Sequence, residues 1–220
     1  MSFGLARGRT LDTGEIGLAQ ADLPEFDEQP VIDPRAWFGS ARQHAPFELE
    51  IGSGKGTFLV QQAVLQPDTN FLGVEWAGEF YRYAADRVRR RGLENVRLLH
   101  TDAIEFLTHR APAEICRTIH LYFPDPWPKK RHHKRRSVQD ATLPVFYRAL
   151  RPGGELRIVT DHDDYWAWID ERLARASALF ERLPFDRPES AGDEEVVGTN
   201  FERKYRREGR PFHAVTLRRR

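Results

Sequence analysis

Residues 122–136 have the strongest chemical character in this chain. They read Tyr-Phe-Pro-Asp-Pro-Trp-Pro-Lys-Lys-Arg-His-His-Lys-Arg-Arg and follow an apolar stretch that predicts a strand. Proline fixes its own φ and restricts the residue before it, so Asp125 and Trp127 should be displayed on a stiff, non-helical loop. A carboxylate and an aromatic ring beside a polycation suit a site that handles a nucleobase and its phosphates.

The basic run at residues 129–136 predicts a surface for the backbone of an RNA. Lysine and arginine supply most of the affinity for phosphates without reading the sequence of bases. A solvated basic helix end is the alternative, but the run begins directly beside the Asp125 loop. His132 and His133 are adjacent and have no third partner nearby, so we predict no metal site there.

Glycines 52, 54 and 56 follow a predicted strand and open a predicted helix. Gly52, Gly54 and Gly56 allow a tight turn and the close approach of a ligand to the backbone. A phosphate-binding loop is disfavoured, because Leu49 stands where a glycine is needed and Gly56 where a serine or threonine should hold magnesium. A dinucleotide site is disfavoured because the third glycine of its fingerprint would fall on Thr57.

Three acidic residues lie at the ends of successive predicted strands, namely Glu50, Glu75 and Asp102. Glu75 is placed to accept hydrogen bonds from both hydroxyls of a ribose. Asp102 is placed to accept from an adenine amino group, or alternatively to cap the helix that follows. A pocket lined by carboxylates repels a pyrophosphate and suits a cation, so S-adenosylmethionine is favoured over NAD.

Strands and helices alternate along most of the chain. Strands are predicted at residues 47–51, 71–74, 96–99, 118–123, 155–160 and 214–218, and helices at 57–66, 78–91, 103–108, 138–150 and 165–179. Pro144 is expected either to kink the helix at 138–150 or to delay its start. This alternation predicts an α/β fold in which helices cover both faces of a mostly parallel sheet. The ligand should then lie at the carboxyl ends of the strands, near the switch in strand order. Residues 1–45 are predicted to be a variable, partly flexible arm, and residues 46–220 the catalytic domain.

Composition narrows the class of protein. The chain has 220 residues and a formal net charge of +1, so its positive charge is concentrated in local runs. A single cysteine, Cys116, excludes an internal disulfide and fits a reducing cytosol. No apolar run approaches the roughly 18 residues of a membrane helix, which predicts a cytoplasmic protein without a membrane partner.

At this level of detail the residues resemble one family, the bacterial tRNA (guanine-N7-)-methyltransferases. The resemblance covers roughly residues 47–218, and the proline-framed loop with its basic tail is its most specific part. The segments that carry it are residues 50–56, 73–75, 123–136, 160–161 and 199–202.

The resemblance implies a Rossmann-like class I methyltransferase fold with a seven-stranded sheet. It also implies transfer of a methyl group from S-adenosylmethionine to guanine 46 in the variable loop of tRNA. Carried over by position, the cofactor would be held by Glu50, Gly52, Gly54, Gly56, Glu75, Asp102 and Asp125, with Asp125 also catalytic. The guanine would be held by Lys129, Asp161, Thr199, Asn200, Phe201 and Glu202, and the RNA backbone by Arg131, His132, His133, Lys134, Arg135 and Arg136. From spacing alone, Thr199 and Glu202 equally suit a helix N-cap and an acid in the first turn.

Three other functions are open to the same residues. The first is a methyltransferase acting on another RNA position or on a small molecule, although the basic run disfavours the small molecule. The second is a non-catalytic RNA-binding module, which the strand-end acids disfavour. The third is a nicotinamide-dependent oxidoreductase, which the glycine spacing disfavours. A monomer and a homodimer fit the sequence equally well.

Overall fold

Eight strands form one sheet in the computed structural model, which describes residues 10–220. They are β1 (Gly17–Ala19), β2 (Phe47–Ile51), β3 (Asn70–Val74), β4 (Val96–His100), β5 (Cys116–Tyr122), β6 (Leu150–Thr160), β7 (Phe180–Leu183) and β8 (His213–Arg219). Their order across the sheet is β1-β4-β3-β2-β5-β6-β8-β7. The pairs from β1 to β6 are parallel, and β8 is antiparallel to both of its neighbours.

Six α-helices and four short 3-10 helices accompany these strands in residues 10–220. The α-helices are α1 (Thr57–Leu65), α2 (Gly78–Arg89), α3 (Ala103–His109), α4 (Leu143–Ala149), α5 (Asp163–Arg175) and α6 (Asn200–Arg207). The 3-10 helices are Gly14–Ile16, Gln20–Asp22, Pro34–Phe38 and Lys130–Arg135. In this part of the chain, no helix is both long enough and apolar enough to cross a membrane.

The sheet is covered on both faces, as the alternation of strands and helices predicts. One buried cluster joins β3 and β4 to α1 and α2, with Phe71 and Leu98 among its members. A larger cluster on the other face joins the central strands to α3, α4 and α5, and includes Leu49, Ile119 and Phe146. The predicted α/β architecture, in which helices cover both faces of a mostly parallel sheet, is therefore confirmed.

The predicted count of seven strands is wrong, because the structure has eight. The additional strand is β1, which comes from the segment predicted to be an arm and pairs in parallel with the edge of β4. Its residues carry no alternating apolar pattern, so only the free edge of β4 reveals its place. The first nine residues of the predicted arm lie outside the described residues, and the domain boundary near residue 45 stays a prediction.

Two predicted helices differ most from the structure in their boundaries. The helix predicted at 138–150 begins only at Leu143, because Pro144 is accepted in a first helical turn and disfavoured further inside. The helix predicted at 165–179 begins earlier, at Asp163, and ends at Arg175. His162 caps this helix, since its side chain accepts a hydrogen bond from the backbone of Tyr165.

Strand order reverses at β2, because the chain runs first to β3 and β4 on one side and then to β5 on the other. The carboxyl ends of β2, β3 and β5 therefore meet at the switch point where ligands bind in open α/β sheets.

Candidate active site

One cavity opens at this switch point. The empty space in it measures about 690 Å³ when the open mouth is included. The residues around it come from the ends of β2 and β5, the start of α1 and α2, and the start of α6. They are Glu50, Gly52, Ser53, Lys55, Thr57, Phe58, Phe80, Tyr122, Phe123, Thr199, Asn200, Phe201 and Lys204.

The glycine loop forms one wall of the cavity. Gly52, Gly54 and Gly56 have φ values of 75°, 54° and 65°, a backbone region that L-residues rarely adopt. Gly56 is also the N-cap of α1, where an added Cβ would come within 3.1 Å of Ala84 Cβ. Glycines at these positions therefore serve the turn itself and leave backbone exposed to the cavity.

Glu75 braces this loop from the end of β3. Its Oε2 accepts a hydrogen bond from the backbone of Gly54 at 2.7 Å, and its Oε1 accepts one from the backbone of Ala77 at 2.8 Å. Burial raises the pKa of Glu75, these backbone bonds oppose the rise, and the charge of Asp125 adds to it. Asp125 therefore lies close enough to Glu75 for its charge to act on that carboxyl.

Glu50 is the most deeply buried of the cavity acids, with 4% of its surface exposed. Its Oε2 has no hydrogen-bond partner in the described residues, and the same holds for the hydroxyl of Ser53. Burial raises the pKa of Glu50 well above its usual value, and the nearby charge of Glu75 raises it further. A cationic ligand would relieve both effects, because it would pair with the buried carboxylate.

A buried hydrogen-bond chain lies behind the cavity. His120 Nε2 is 2.8 Å from Glu48 Oε2, and His120 Nδ1 is 2.7 Å from the hydroxyl of Tyr122. Burial opposes ionisation of Glu48, but the hydrogen bond from His120 and the charge of Arg117 outweigh it and lower the pKa of that carboxyl to about 2. Burial also lowers the pKa of His120. An ionised Glu48 beside a neutral His120 fixes the ring with Nε2 protonated, so the Tyr122 hydroxyl donates to Nδ1.

The proline-framed loop continues from β5 with an unusual backbone. Phe123 and Trp127 have φ values of 52° and 43°, both in the left-handed region although neither is glycine. Asp125 lies between them and is exposed. The loop therefore presents Asp125 beside the cavity, to which Phe123 contributes directly.

The start of α6 forms the opposite wall. Asn200 Nδ2 donates to the hydroxyl of Thr57 at 2.9 Å, and Arg87 Nη1 donates to the same hydroxyl at 2.9 Å. Phe201 lies over the glycine loop, 3.6 Å from where a Cβ on Gly54 would be, and is 40% exposed. The segment predicted to hold substrate thus touches the segment predicted to hold cofactor.

Glu202 does not reach the cavity. Its carboxylate is fully buried and accepts hydrogen bonds from the backbone of Val196, Val197 and Gly198 at 2.5–2.9 Å. It also pairs with Arg206 at 2.8 Å. The hydroxyl of Thr199 accepts from the backbone of Glu202, which is the N-cap geometry that the spacing allows. Glu202 therefore holds the turn before α6, and a direct contact with substrate would require this bonding to be broken.

The basic run divides into outward and inward side chains. Lys129, Lys130, Arg131, Lys134 and Arg135 are exposed. The Arg135 guanidinium lies 5.0 Å from the Trp127 ring centroid, and the His132 ring lies at a tilt to the same indole, with ring centroids 5.8 Å apart. His133 packs edge-on against Trp168 at 5.1 Å.

Arg136 differs in its burial from the exposed members of the basic run. Its side chain is fully buried, where no phosphate can reach it in this conformation. The run was predicted as one exposed surface because charge alone does not reveal which side chain turns inward.

The remaining predicted residues lie outside the cavity wall. Asp102 is exposed, and its Oδ1 accepts from the backbone of Ile104 and Glu105 at 2.8 and 3.0 Å, so it caps α3. Asp161 accepts from Arg210 Nη1 at 2.6 Å. Lys129 precedes the basic 3-10 helix as its N-cap residue. Capping leaves Asp102 Oδ2 available, so both roles offered by the sequence fit it. Within residues 10–220, no cluster of three or more His, Cys, Asp or Glu side chains is arranged to hold a metal ion.

Several residues of the site escaped the sequence interpretation. Glu48 and His120 have a simple signal, since each lies two residues before a cavity residue and shares its face of the sheet. Lys204 likewise lies one helical turn after Asn200. Arg87 has no local signal, because its bond to Thr57 depends on how α2 packs beside α1.

Comparisons with known proteins agree with this architecture. The family described as "Putative methyltransferase" matches residues 44–215. A tRNA (guanine-N(7)-)-methyltransferase of Halorhodospira halophila is 38% identical over an alignment of 221 positions, which covers 99% of this chain and 94% of that protein. One of Corynebacterium diphtheriae is 40% identical over 184 residues, which are 83% of this chain and 70% of that protein.

Solved structures with the same fold are more distant in sequence. A 16S rRNA methyltransferase has a TM-score of 0.57 at 16% identity, over 84% of this chain and 92% of that one. A SAM-dependent methyltransferase from Aquifex aeolicus has a TM-score of 0.53 at 14% identity, over 80% of this chain and 82% of that one. At these identities the likeness concerns the fold alone.

Proposed function

Because the chain belongs to the tRNA (guanine-N7-)-methyltransferase family, we propose that it transfers a methyl group from S-adenosylmethionine to N7 of guanine 46 in the variable loop of tRNA. The observation that carries this proposal is the position of the cavity, with the buried Glu50 carboxyl in its wall, between the glycine loop and α6 and beside the Asp125 loop and its basic extension.

The cavity residues fit S-adenosylmethionine. Glu50 Oε2 and the Ser53 hydroxyl are buried polar atoms without partners in the described residues, and both suit the cationic, hydrogen-bonding methionine end of the cofactor. Glu75 is held by two backbone N–H groups, and each of its oxygens keeps a lone pair for a ribose hydroxyl. Asp102 would face the adenine and Asp125 the reacting centre.

The proposed reaction does not require proton transfer to a catalytic base. Guanine N7 has an available lone pair and no proton, so its methylation needs no general base. S-adenosylmethionine supplies an electrophilic methyl group when bound. The protein's contribution is to hold N7 in line with that methyl group, and positioning of this kind supplies about 7–11 kcal/mol in favourable cases.

Asp125 has two tasks in this proposal. The guanine gains positive charge as its N7 is methylated, and a carboxylate near the purine stabilises that charge. The same carboxylate accepts hydrogen bonds from guanine N–H groups and so orients the base. Lys129, Asp161 and the cavity residues Thr199, Asn200 and Phe201 complete the guanine site, with Glu202 holding their backbone in place.

Lys130, Arg131 and Lys134 follow the RNA backbone. They lie on the exposed side of the basic 3-10 helix, and their charges attract phosphate without selecting a sequence. Position 46 is thus chosen by the fold of tRNA, which brings one guanine to the cavity when the backbone lies on this helix.

The deciding experiment is methyl transfer to tRNA transcripts. Purified protein with labelled S-adenosylmethionine should label a transcript with guanine 46, and chemical cleavage at 7-methylguanosine should cut at that position. A matched transcript with adenine 46 should remain unlabelled. Equal labelling of both transcripts would assign the enzyme to another position, and failure to bind the cofactor in calorimetry would leave an RNA-binding module.

A further inference from the structure

Arg136 makes an unusual set of contacts for the last residue of a basic run. Its Nε donates to the carbonyl oxygen of Pro126 at 2.8 Å, and its Nη2 donates to Asp164 Oδ2 at 2.5 Å. The guanidinium carbon lies 5.0 Å from the ring centroid of Tyr165 and 4.8 Å from that of Trp168. This side chain therefore fastens the loop after β5 to the first turns of α5.

The loop that Arg136 reaches has little else to hold it. Pro124, Pro126 and Pro128 lack N–H groups, and the bond from Arg136 is the one hydrogen bond to the backbone of residues 124–128 found within the described part of the chain. The left-handed φ values of Phe123 and Trp127 cost about 1–3 kcal/mol each unless surrounding contacts enforce them. The accepting carbonyl belongs to the peptide that joins Pro126 to Trp127, so the bond acts where the backbone is strained.

We propose that Arg136 is a positioning residue for Asp125, holding the strained loop in the conformation that presents this carboxylate to the guanine. The inference rests on the proposed function, since it assigns Asp125 to the reacting base. It removes Arg136 from the set of residues that contact tRNA. The neighbouring Lys134, which is exposed, keeps that role.

Only arginine suits this position. Its planar guanidinium donates in two directions at once, here to Pro126 on one side and Asp164 on the other, while its flat faces lie against aromatic rings. Lysine keeps the charge but replaces the fork with a single point of attachment. Arg136→Lys therefore tests whether the position requires only a positive charge or also the planar hydrogen-bonding geometry of the guanidinium.

The test measures turnover and tRNA binding separately. In Arg136→Lys we expect kcat to fall at least tenfold while the Kd for tRNA and its dependence on salt stay as in the wild type. A phosphate contact would behave otherwise, because losing one lowers the slope of log K against log salt by about 0.7–0.9. A fall in that slope equal to the one caused by Lys134→Ala would overturn the proposal, and so would an unchanged kcat.

Two matched pairs protect the test against misfolding. Arg175→Lys makes the same change in an exposed ion pair on the far part of α5 and should leave kcat unaltered. Asp164→Ala removes the exposed partner of Arg136, since the Asp164 side chain is 62% exposed. It should lower kcat without changing the slope of log K for tRNA against log salt. Asp163→Ala, its neighbour in the same helical turn with 77% exposure, should not lower kcat.

If Arg136→Lys fails to fold, the Asp164 and Asp163 variants decide the question. Equal kcat values for these two variants would then refute the anchor. The wild type in the same assay distinguishes a failure of the proposed function from a failure of the proposed role of Arg136. A wild type that does not methylate guanine 46 refutes the function, whereas an active wild type with undiminished variants refutes only the role of Arg136.

Discussion

The buried carboxyl of Glu50 and the carboxylate of Glu75 lie close enough that the charge of Glu75 raises the pKa of Glu50. The two residues end neighbouring parallel strands, β2 and β3, and both lie on the wall of the cavity or directly behind it. Without a ligand this is an unfavourable arrangement of like charges, and a cation in the cavity makes it favourable.

The affinity for S-adenosylmethionine should therefore depend on pH through Glu50. The pKa of Glu50 is raised in the folded protein, so the ligand must displace a proton, and affinity should rise as the pH increases above the usual titration range of a glutamate carboxyl. Calorimetry in two buffers with different ionisation enthalpies should detect proton release on binding. Glu50→Gln should bind at least about tenfold more weakly and release no proton from this site.

The same substitution should stabilise the ligand-free protein. A carboxyl whose pKa is raised by folding contributes stability below its unfolded value, which is lost as pH rises through the folded value. Near neutral pH, Glu50→Gln should raise Tm by at least about 2 °C, the equivalent of roughly 1 kcal/mol in a domain of this size. Glu94→Gln, on an exposed turn, is the control and should leave Tm unchanged. A lower Tm in Glu50→Gln would show that the Glu50 carboxylate is already compensated.

Removal of the Asp125 carboxylate should affect turnover rather than binding. Asp125→Ala should reduce kcat by at least about 100-fold, the scale of one lost electrostatic contact in a transition state. The Kd for tRNA should change less than about threefold, since the basic helix supplies most of the affinity. Substantial turnover with saturating cofactor would remove Asp125 from the mechanism.

The exposed part of the basic helix should set the salt dependence of tRNA binding. Replacing Lys130, Arg131 and Lys134 with alanine should weaken binding and reduce the slope of log K against log salt by about 2–3. Cofactor affinity should stay the same because none of these side chains lines the cavity. An unaltered slope would mean that the RNA lies on another surface.

Acid should weaken the fold through Glu48. Its pKa is about 2 in the folded protein against 4.5 ordinarily, so its contribution is present above about pH 4.5 and is lost as pH falls towards 2. The shift corresponds to roughly 3 kcal/mol. Urea unfolding of Glu48→Gln should show a smaller loss of stability between pH 5 and pH 3 than the wild type, on the order of 1–2 kcal/mol. Glu181→Gln, on the exposed face of β7, should follow the wild type.

Glu202 should prove structural when it is substituted. Glu202→Ala leaves three backbone N–H groups without an acceptor and should lower the free energy of unfolding by roughly 2–5 kcal/mol. Glu208→Gln, at the end of the same helix, is the control and should change it by less than about 0.5 kcal/mol. If a Glu202 variant had wild-type stability but defective guanine recognition, the result would support a direct contact between Glu202 and the guanine.

What the sequence predicted correctly has a local origin. Glycine spacing, acids after apolar strands and prolines around Asp125 act through the backbone of the residues themselves, so they reveal the cavity without a structure. The switch point then follows from parallel strands. For the same reason the N-cap role of Thr199 could be read from its spacing to Glu202.

The features that the sequence could not predict depend on the register between strands and on the burial of side chains. Glu50 lies opposite His120 in the pairing of β2 with β5, and the sequence of neither strand predicts this register. The inward turn of Arg136 depends on two rings of α5 that lie almost thirty residues further along. Edge strand β1 depends on an edge that exists only after β4 has joined the sheet.

The left-handed backbone at Phe123 and Trp127 has a consequence for the evolution of this protein. Glycine at either position would relax the dihedral strain while surrendering a ring that shapes the reaction site. Mutants chosen for heat tolerance alone should drift towards relaxed loops, and mutants chosen for modification of RNA should drift back. At these two residues, selection for thermal stability and selection for activity favour different side chains.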